Sequence, residues 1–170
     1  MVIEAANRYG VPADLAVRLA RQESGIRQFR SDGSLILSSA GAIGVMQLMP
    51  ATAAELGVDP RDQYQNIDGG VRYLKQMFNM FGDWKVAVAA YNAGPGRMRK
   101  VLAGQQALPS ETANYVQAIM GEPFTSTSSP PPTFSRGQVP SISPRPGQPI
   151  RRAPQTKSSK KSTSSPPPSA

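Results

Sequence analysis

The chain has 170 residues, room for one ordinary domain of about 100 to 150 residues plus extra sequence. Its net charge of +8 is unevenly spread: residues 1–122 hold all eleven carboxylates and sum to +1, whereas 123–170 hold seven basic residues and no acid. The absence of cysteine and histidine excludes thiol and Ser-His catalysis, disulfides, and zinc sites built from those side chains, so acid/base chemistry falls to a carboxylate or, failing that, to Lys or Tyr.

The predicted elements of 1–122 are all helical. Val2, Ile3, Ala6 and Tyr9 suggest a short helix closed by Gly10, and Pro12 opens a second that ends at Gly25. Within the second, Leu15, Leu19 and Glu23 fall at i, i+4 and i+8, which places Glu23 on an apolar face. Residues 32–44 are too rich in Gly and Ser for a helix and read as a loop with room for a small hairpin. Pro50 opens a short helix stopped by Gly57. Ile67, Val71, Leu74, Phe78 and Phe81 then step by four and three residues, the period of an amphipathic helix ended by Gly82. Trp84 to Tyr91 and a basic Pro95 to Ala103 follow, and Ser110 is expected to cap a last helix carrying Tyr115, Val116 and Ile119. The expected fold class is all-α, a compact helical domain over 1–122.

Residues 123–170 carry twelve of the seventeen prolines and twelve serines, with Phe124, Val139, Ile142 and Ile150 among very few large apolar side chains. Such a segment buries too little surface to offset chain entropy and reads as a disordered basic tail. Arg151-Arg152 and the lysines from Lys157 to Lys161 suit anionic polymers such as teichoic acids, lipopolysaccharide or DNA, although a plain solvated linker explains them as well. Phe124 and Phe134 are its only aromatic residues, which argues against nucleic acid as the partner, because stacking platforms are lacking. No stretch approaches the ~20 apolar residues of a membrane span, and Met1 to Arg8 lacks the basic and apolar pattern of a secretory signal. Action outside the cytoplasm would then require virion delivery, a secretion apparatus, or a longer precursor.

Glu23 is the leading chemical candidate. A carboxyl on an apolar helix face loses hydration, which disfavours its charged form and raises its pKa into the range of a general acid. The competing reading is a Glu near a helix end, solvated or paired with Arg18 or Arg27. Gly41 to Ala53 adds glycines that let backbone approach a ligand and places Gln47 among apolar neighbours, where it either meets a ligand or satisfies buried backbone. Ala90-Tyr91-Asn92-Ala93-Gly94 is both a helix stop and a set of groups suited to sugars.

Together and in this order these segments resemble the lytic transglycosylase domain of soluble bacterial transglycosylases, phage virion wall-degrading proteins and secretion-associated muralytic enzymes. The matching residues are Arg21-Gln22-Glu23-Ser24-Gly25, Ser38 through Ala53, Asn66-Ile67 with Gly70 and Tyr73-Leu74, Ala90 through Gly94, and Glu111-Thr112 with Tyr115-Val116, spanning roughly residues 1 to 120. The resemblance implies a lysozyme-like fold with a cleft, Glu23 as acid/base, and sugar subsites lined by Ser38, Gln47, Tyr91, Asn92 and Tyr115, with no cofactor or metal. It implies peptidoglycan strands as substrate and cleavage between N-acetylmuramic acid and N-acetylglucosamine with a 1,6-anhydromuramyl product. Two departures stand out: Gln105 or Gln106 lies where many relatives carry an acid, and residues 30–37 look longer than the usual link. The rivals are a hydrolytic goose-type muramidase, with Asp32, Glu55 or Asp68 as second carboxylate, and an inactive wall-binding protein that kept the fold.

Overall fold

The computed structural model describes residues 1–125; the expected disordered basic tail beyond them lies outside the described residues. Seven helices are present among those residues: α1 (Val2–Tyr9), α2 (Ala13–Ser24), α3 (Pro50–Leu56), α4 (Gln63–Phe81), α5 (Trp84–Ala93), α6 (Pro95–Leu102) and α7 (Ser110–Met120). No helix of the described residues is long and apolar enough to cross a membrane.

The expected helix stops are in place. Gly10, Gly25, Gly57 and Gly82 each end a helix with φ between 65° and 73°, a left-handed geometry that glycine adopts without a Cβ clash. The expected starts fared less well. Pro12 stands just before α2 as its N-cap, and Ser110 is the first residue of α7 rather than its cap, which is Pro109 with no side-chain hydrogen bond. The working caps are Asp62 and Asp83, whose carboxylates accept from Gln65 N at 2.8 Å and Val86 N at 2.9 Å.

α5 is the axis of the packing. Val86, Ala87, Val88, Ala89 and Ala90 are all buried, so the middle of this helix is apolar all round and packs against α4, α6 and α7. Leu15 and Leu19 of α2, Val71 and Leu74 of α4, Met98 of α6 and Val116 and Ile119 of α7 complete the core around it. Phe124, which composition assigned to the tail, packs against this core, and Lys85 Nζ lies 3.0 Å from Glu122 Oε1.

Residues 28–48 form a small ladder instead of a helix. Isolated antiparallel bridges join Phe29 to Leu35, Leu37 to Ile43 and Ile43 to Leu48, so the expected small hairpin is one of three successive reversals. Ile43 and Leu48 exchange both backbone hydrogen bonds, at 2.9 and 3.1 Å, which closes a tight loop over Gly44 to Gln47. That loop is what the rest of the fold holds in place.

Candidate active site

Glu23 sits one residue before the end of α2, at the edge of the face formed by Leu15 and Leu19, and its side chain is only partly exposed. Neither arginine weighed as its partner takes it. Arg18 Nη2 bonds Asp14 at 3.0 Å, and Arg27 Nε turns back to Ser24 O at 3.4 Å. The group that meets Glu23 is the Tyr115 hydroxyl, which donates a short hydrogen bond to its Oε1. Burial pushes the Glu23 carboxyl up from 4.5 to about 7, and the donation from Tyr115 partly opposes this. The same proximity raises the Tyr115 and Tyr91 hydroxyls well above their usual range, burial first and the Glu23 charge second.

The loop over residues 43–48 is tied to the elements that carry these groups. Ser24 Oγ, next in sequence to Glu23, donates to Val45 O at 2.8 Å. Tyr91 Oη donates to Met46 O at 2.8 Å. Two buried amides hold the loop from behind: Gln28 Oε1 accepts from Val45 N at 3.0 Å, and Asn66 Oδ1 accepts from Met46 N at 2.8 Å. Their amide nitrogens donate to the turn before α4, Gln28 to Pro60 O and Arg61 O and Asn66 to Pro60 O, while Asn66 also donates to Ile43 O at 2.7 Å. All four amide functions are thereby satisfied inside the protein, as buried polar groups must be. In the sequence Asn66 stands only as part of the Asn66-Ile67 motif, and nothing there marks Gln28. A buried Gln three residues past a helix C-cap has no local signature, because its partners lie 17 or more residues away.

The structure brings Glu23, Tyr91 and Tyr115 into one electrostatic neighbourhood. Tyr73 stacks obliquely on Tyr91, with ring centroids 5.2 Å apart. Asn92 is exposed, and its Oδ1 accepts from Thr112 Oγ1 at 2.8 Å, one helical turn from Tyr115. Gln47 follows Met46 directly; its backbone has φ 48°, and its Nε2 donates to Gly44 O at 2.8 Å, so half of its amide serves the loop itself. A non-glycine residue in the left-handed region is uncommon and costs of order 1 to 3 kcal/mol, a strain often found at ligand sites. Ser38 stands further along the ladder, where its Oγ accepts from Ala42 N at 3.0 Å and closes a turn. None of Glu23, Ser38, Gln47, Tyr91, Asn92 and Tyr115 lines the cavity of about 340 Å³ formed by Ile43, Pro50, Ala53, Ala54, Val58 and Asp59 to Arg61.

The carboxylates weighed as a second catalytic acid are otherwise engaged or exposed. Asp68 bonds Arg8 Nη1 at 2.7 Å and the Tyr9 hydroxyl at 2.9 Å, and Asp32 accepts from Ser34 N and Oγ at 2.9 and 2.6 Å. Glu55 is exposed on α3, close enough to raise the Tyr73 hydroxyl above its usual value, behind the larger effect of burial.

The chain is similar in sequence and fold to several known proteins. The transglycosylase of Enterobacteria phage PRD1 is 43% identical over 76 residues, covering 44% of this chain and 29% of that protein. The soluble lytic murein transglycosylase of Escherichia coli K12 is 33% identical over 132 residues, covering 69% of this chain and 18% of the relative. The crystal structure of the 70 kDa soluble lytic transglycosylase from Escherichia coli superposes with a TM-score of 0.59 at 31% identity, over 69% of this chain and 22% of that one. The chain thus spans less than a third of the length of these relatives. Residues 1–114 match the family profile described as the Transglycosylase SLT domain, and the chain belongs to that family.

Proposed function

We propose that the protein is a peptidoglycan lytic transglycosylase that cleaves the β-1,4 bond between N-acetylmuramic acid and N-acetylglucosamine, with Glu23 as its single acid/base. The observation that carries the reading is the Glu23 carboxyl, partly buried, bonded to Tyr115 and raised to about 7. A carboxyl with that value holds a proton near neutral pH and releases it readily, which a general acid requires. The relatives' names, lytic murein transglycosylase and transglycosylase, support the same reading.

Two-carboxylate glycosidases place their acids about 5 to 10 Å apart across the bond. Here Asp68 and Asp32 are committed to other hydrogen bonds, which favours one carboxyl acting twice. Glu23 donates its proton to the glycosidic oxygen as the C1–O bond breaks. The muramyl N-acetyl carbonyl oxygen stabilises the cationic C1, as in substrate-assisted glycosidases. The Glu23 carboxylate then takes the proton of the same sugar's C6 hydroxyl as that oxygen bonds C1. The ring closes as a 1,6-anhydro sugar, no water is consumed, and Glu23 ends protonated. Tyr91, Asn92, Gln47 and Ser38 line the sugar path, and Tyr115 steadies the carboxylate. The site of action is the cell wall or periplasm, and virion delivery fits the likeness to the phage protein.

Mass spectrometry of soluble products from purified sacculi tests this. The expected products are anhydromuramyl ends, one water lighter than reducing ends, with turnover lowered by about 10² to 10⁴ in Glu23→Gln. Reducing ends from the unaltered protein would replace this reading with the hydrolytic one, for which Glu55 is the remaining second carboxylate.

A further inference from the structure

Between Glu23 and the buried amide of Gln28 the backbone is held out of its preferred conformation. Gly25 and Ile26 follow one another with φ 66° and 61°, and for a β-branched residue the left-handed region is a genuine outlier. Such a conformation persists only where its surroundings over-determine it. Here Ile26 N donates to Ala20 O at 3.2 Å, Arg27 N donates to Ser24 Oγ at 3.0 Å, and Gln28, 2% exposed, is fixed at both ends of its amide.

Gln28 reaches the loop over residues 43–48 by two routes. Its Oε1 accepts from Val45 N at 3.0 Å, while its Nε2 donates to Pro60 O and Arg61 O, both at 3.0 Å. Its backbone carbonyl accepts from Ile36 N, and Ile36 O accepts from Gly44 N, each at 2.9 Å. Gly44 leaves room for the amide: a Cβ there would meet Gln28 Oε1 and stand 2.7 Å from Cδ and Nε2, atoms that the three side-chain bonds pin in place.

The loop passes this hold on to the acid. Val45 O accepts from Ser24 Oγ at 2.8 Å, one residue from Glu23, and Met46 O accepts from the Tyr91 hydroxyl at 2.8 Å. The titratable groups that feel the Glu23 charge are Tyr91 of α5 and Tyr115 of α7, whereas Arg18 and Arg27 turn to Asp14 and Ser24. With the Tyr91 proton committed to Met46 O, it is Tyr115 that donates to the carboxyl.

Resting on the reading of Glu23 as the acid, we propose that Gln28 is a positioning residue for the reaction. Acting through Val45 and Ser24, it fixes the loop against the end of α2 and so sets how far the Glu23 carboxyl is screened from water and from the Tyr91 hydroxyl. Without the amide the loop is free to move off α2. Water then reaches the carboxyl, and Tyr91, released from Met46 O, donates to it. Both changes favour the charged form, so Glu23 titrates at lower pH.

The test follows the Glu23 carboxyl itself by infrared spectroscopy of the full-length protein, taking its band as the difference between parent and Glu23→Gln. The same difference is then recorded in a Gln28→Met background, where an unbranched side chain of similar length replaces the amide and removes its three bonds. The parent band should be half lost near pH 7. With Gln28→Met the midpoint should lie about one pH unit lower, and turnover should fall about ten- to a hundredfold with KM within about threefold. Gln28→Asn keeps an amide one methylene too short to join Val45 to Pro60; it should move the midpoint in the same direction, and it is the variant to read if Gln28→Met does not melt cooperatively. Val101→Ala, a core truncation on α6, should lower the melting temperature and leave the midpoint near 7. A midpoint unmoved by the Gln28 variants, one moved as far by Val101→Ala, or a parent band already titrating near 4.5 overturns the proposal. So does loss of the folded state in both Gln28 variants, because the amide then serves the fold and not the acid. A midpoint that falls as expected in a protein whose Glu23→Gln form still cleaves strands upholds the hold of Gln28 on Glu23 and removes only the acid reading.

Discussion

At Glu23 two effects of opposite sign act on one carboxyl, and their difference sets the pH at which it titrates. Burial raises its pKa and the Tyr115 hydroxyl lowers it, with burial the larger, leaving a value of about 7. If the protonated form is the active one, turnover falls as pH rises through about 7. Tyr115→Phe removes the lowering influence, so that limb of the pH profile should move to higher pH even as turnover drops; an unmoved or downward limb would separate Tyr115 from the proton. Stability carries the same signature. The folded protein binds this proton more tightly than the unfolded chain, whose carboxyl titrates near 4.5. The contribution is therefore fully present below about 4.5 and lost as pH rises through about 7, by up to about 3 kcal/mol at 1.36 kcal/mol per pKa unit. Glu23→Gln should flatten that decline, because its amide does not titrate, and thermal melts across this range read the difference directly.

At the scale of elements, the loop over residues 43–48 depends on how closely α4 approaches it. A Cβ on Gly70 would stand 2.4 Å from Met46 Cβ, which the backbone fixes and no rotamer change can move away, and 2.5 Å from its Cγ. Gly70→Ala should gain about 1 kcal/mol in helix propensity, yet overpacking of this kind costs about 1 to 3 kcal/mol or more, so net destabilisation is expected. The shift falls on Met46, whose N–H and carbonyl hold Asn66 and Tyr91. Turnover per folded molecule should drop as well; a variant as stable and active as the parent would show that the loop has slack. Sequence patterning reached some of these elements and not others for physical reasons. α4 was legible because its one buried stripe repeats every three or four residues, and Glu23 because it continues the line of Leu15 and Leu19. α5 offers no single stripe to detect, because its five consecutive residues Val86 to Ala90 are all buried. Ser110 misled because a favourable capping residue also fits the first helical turn, and the geometry placed Pro109 at the cap. The Tyr115–Glu23 bond spans 92 residues, and the Gln28 and Asn66 clamps join distant backbone, so spacing carried no trace of them and only the resemblance nominated Tyr115.

For the whole molecule, the described core draws on residues from Val2 to Phe124, while the seven basic residues beyond 122 bring no carboxylate to pair with it. We therefore expect removal of residues 126–170 to leave the folded region intact, keeping Phe124 on the core and Glu122 beside Lys85. The cooperative melt should persist with its midpoint displaced by less than about 4 °C, since 1 kcal/mol shifts a domain of this size by roughly that much. Turnover on short soluble glycan fragments should be unchanged within error, because the candidate residues lie between Glu23 and Tyr115. Association with intact sacculi should respond differently. Losing seven cations weakens attraction to an anionic wall, and the deficit should show at low ionic strength and shrink above about 0.1 M salt, where the screening length falls to ~10 Å. Sedimentation of full-length and shortened protein with sacculi at several salt concentrations separates the two contributions. Loss of the cooperative melt on shortening would place part of the core beyond residue 125, and equal sedimentation at every salt concentration would leave the tail's charge without a role at the wall.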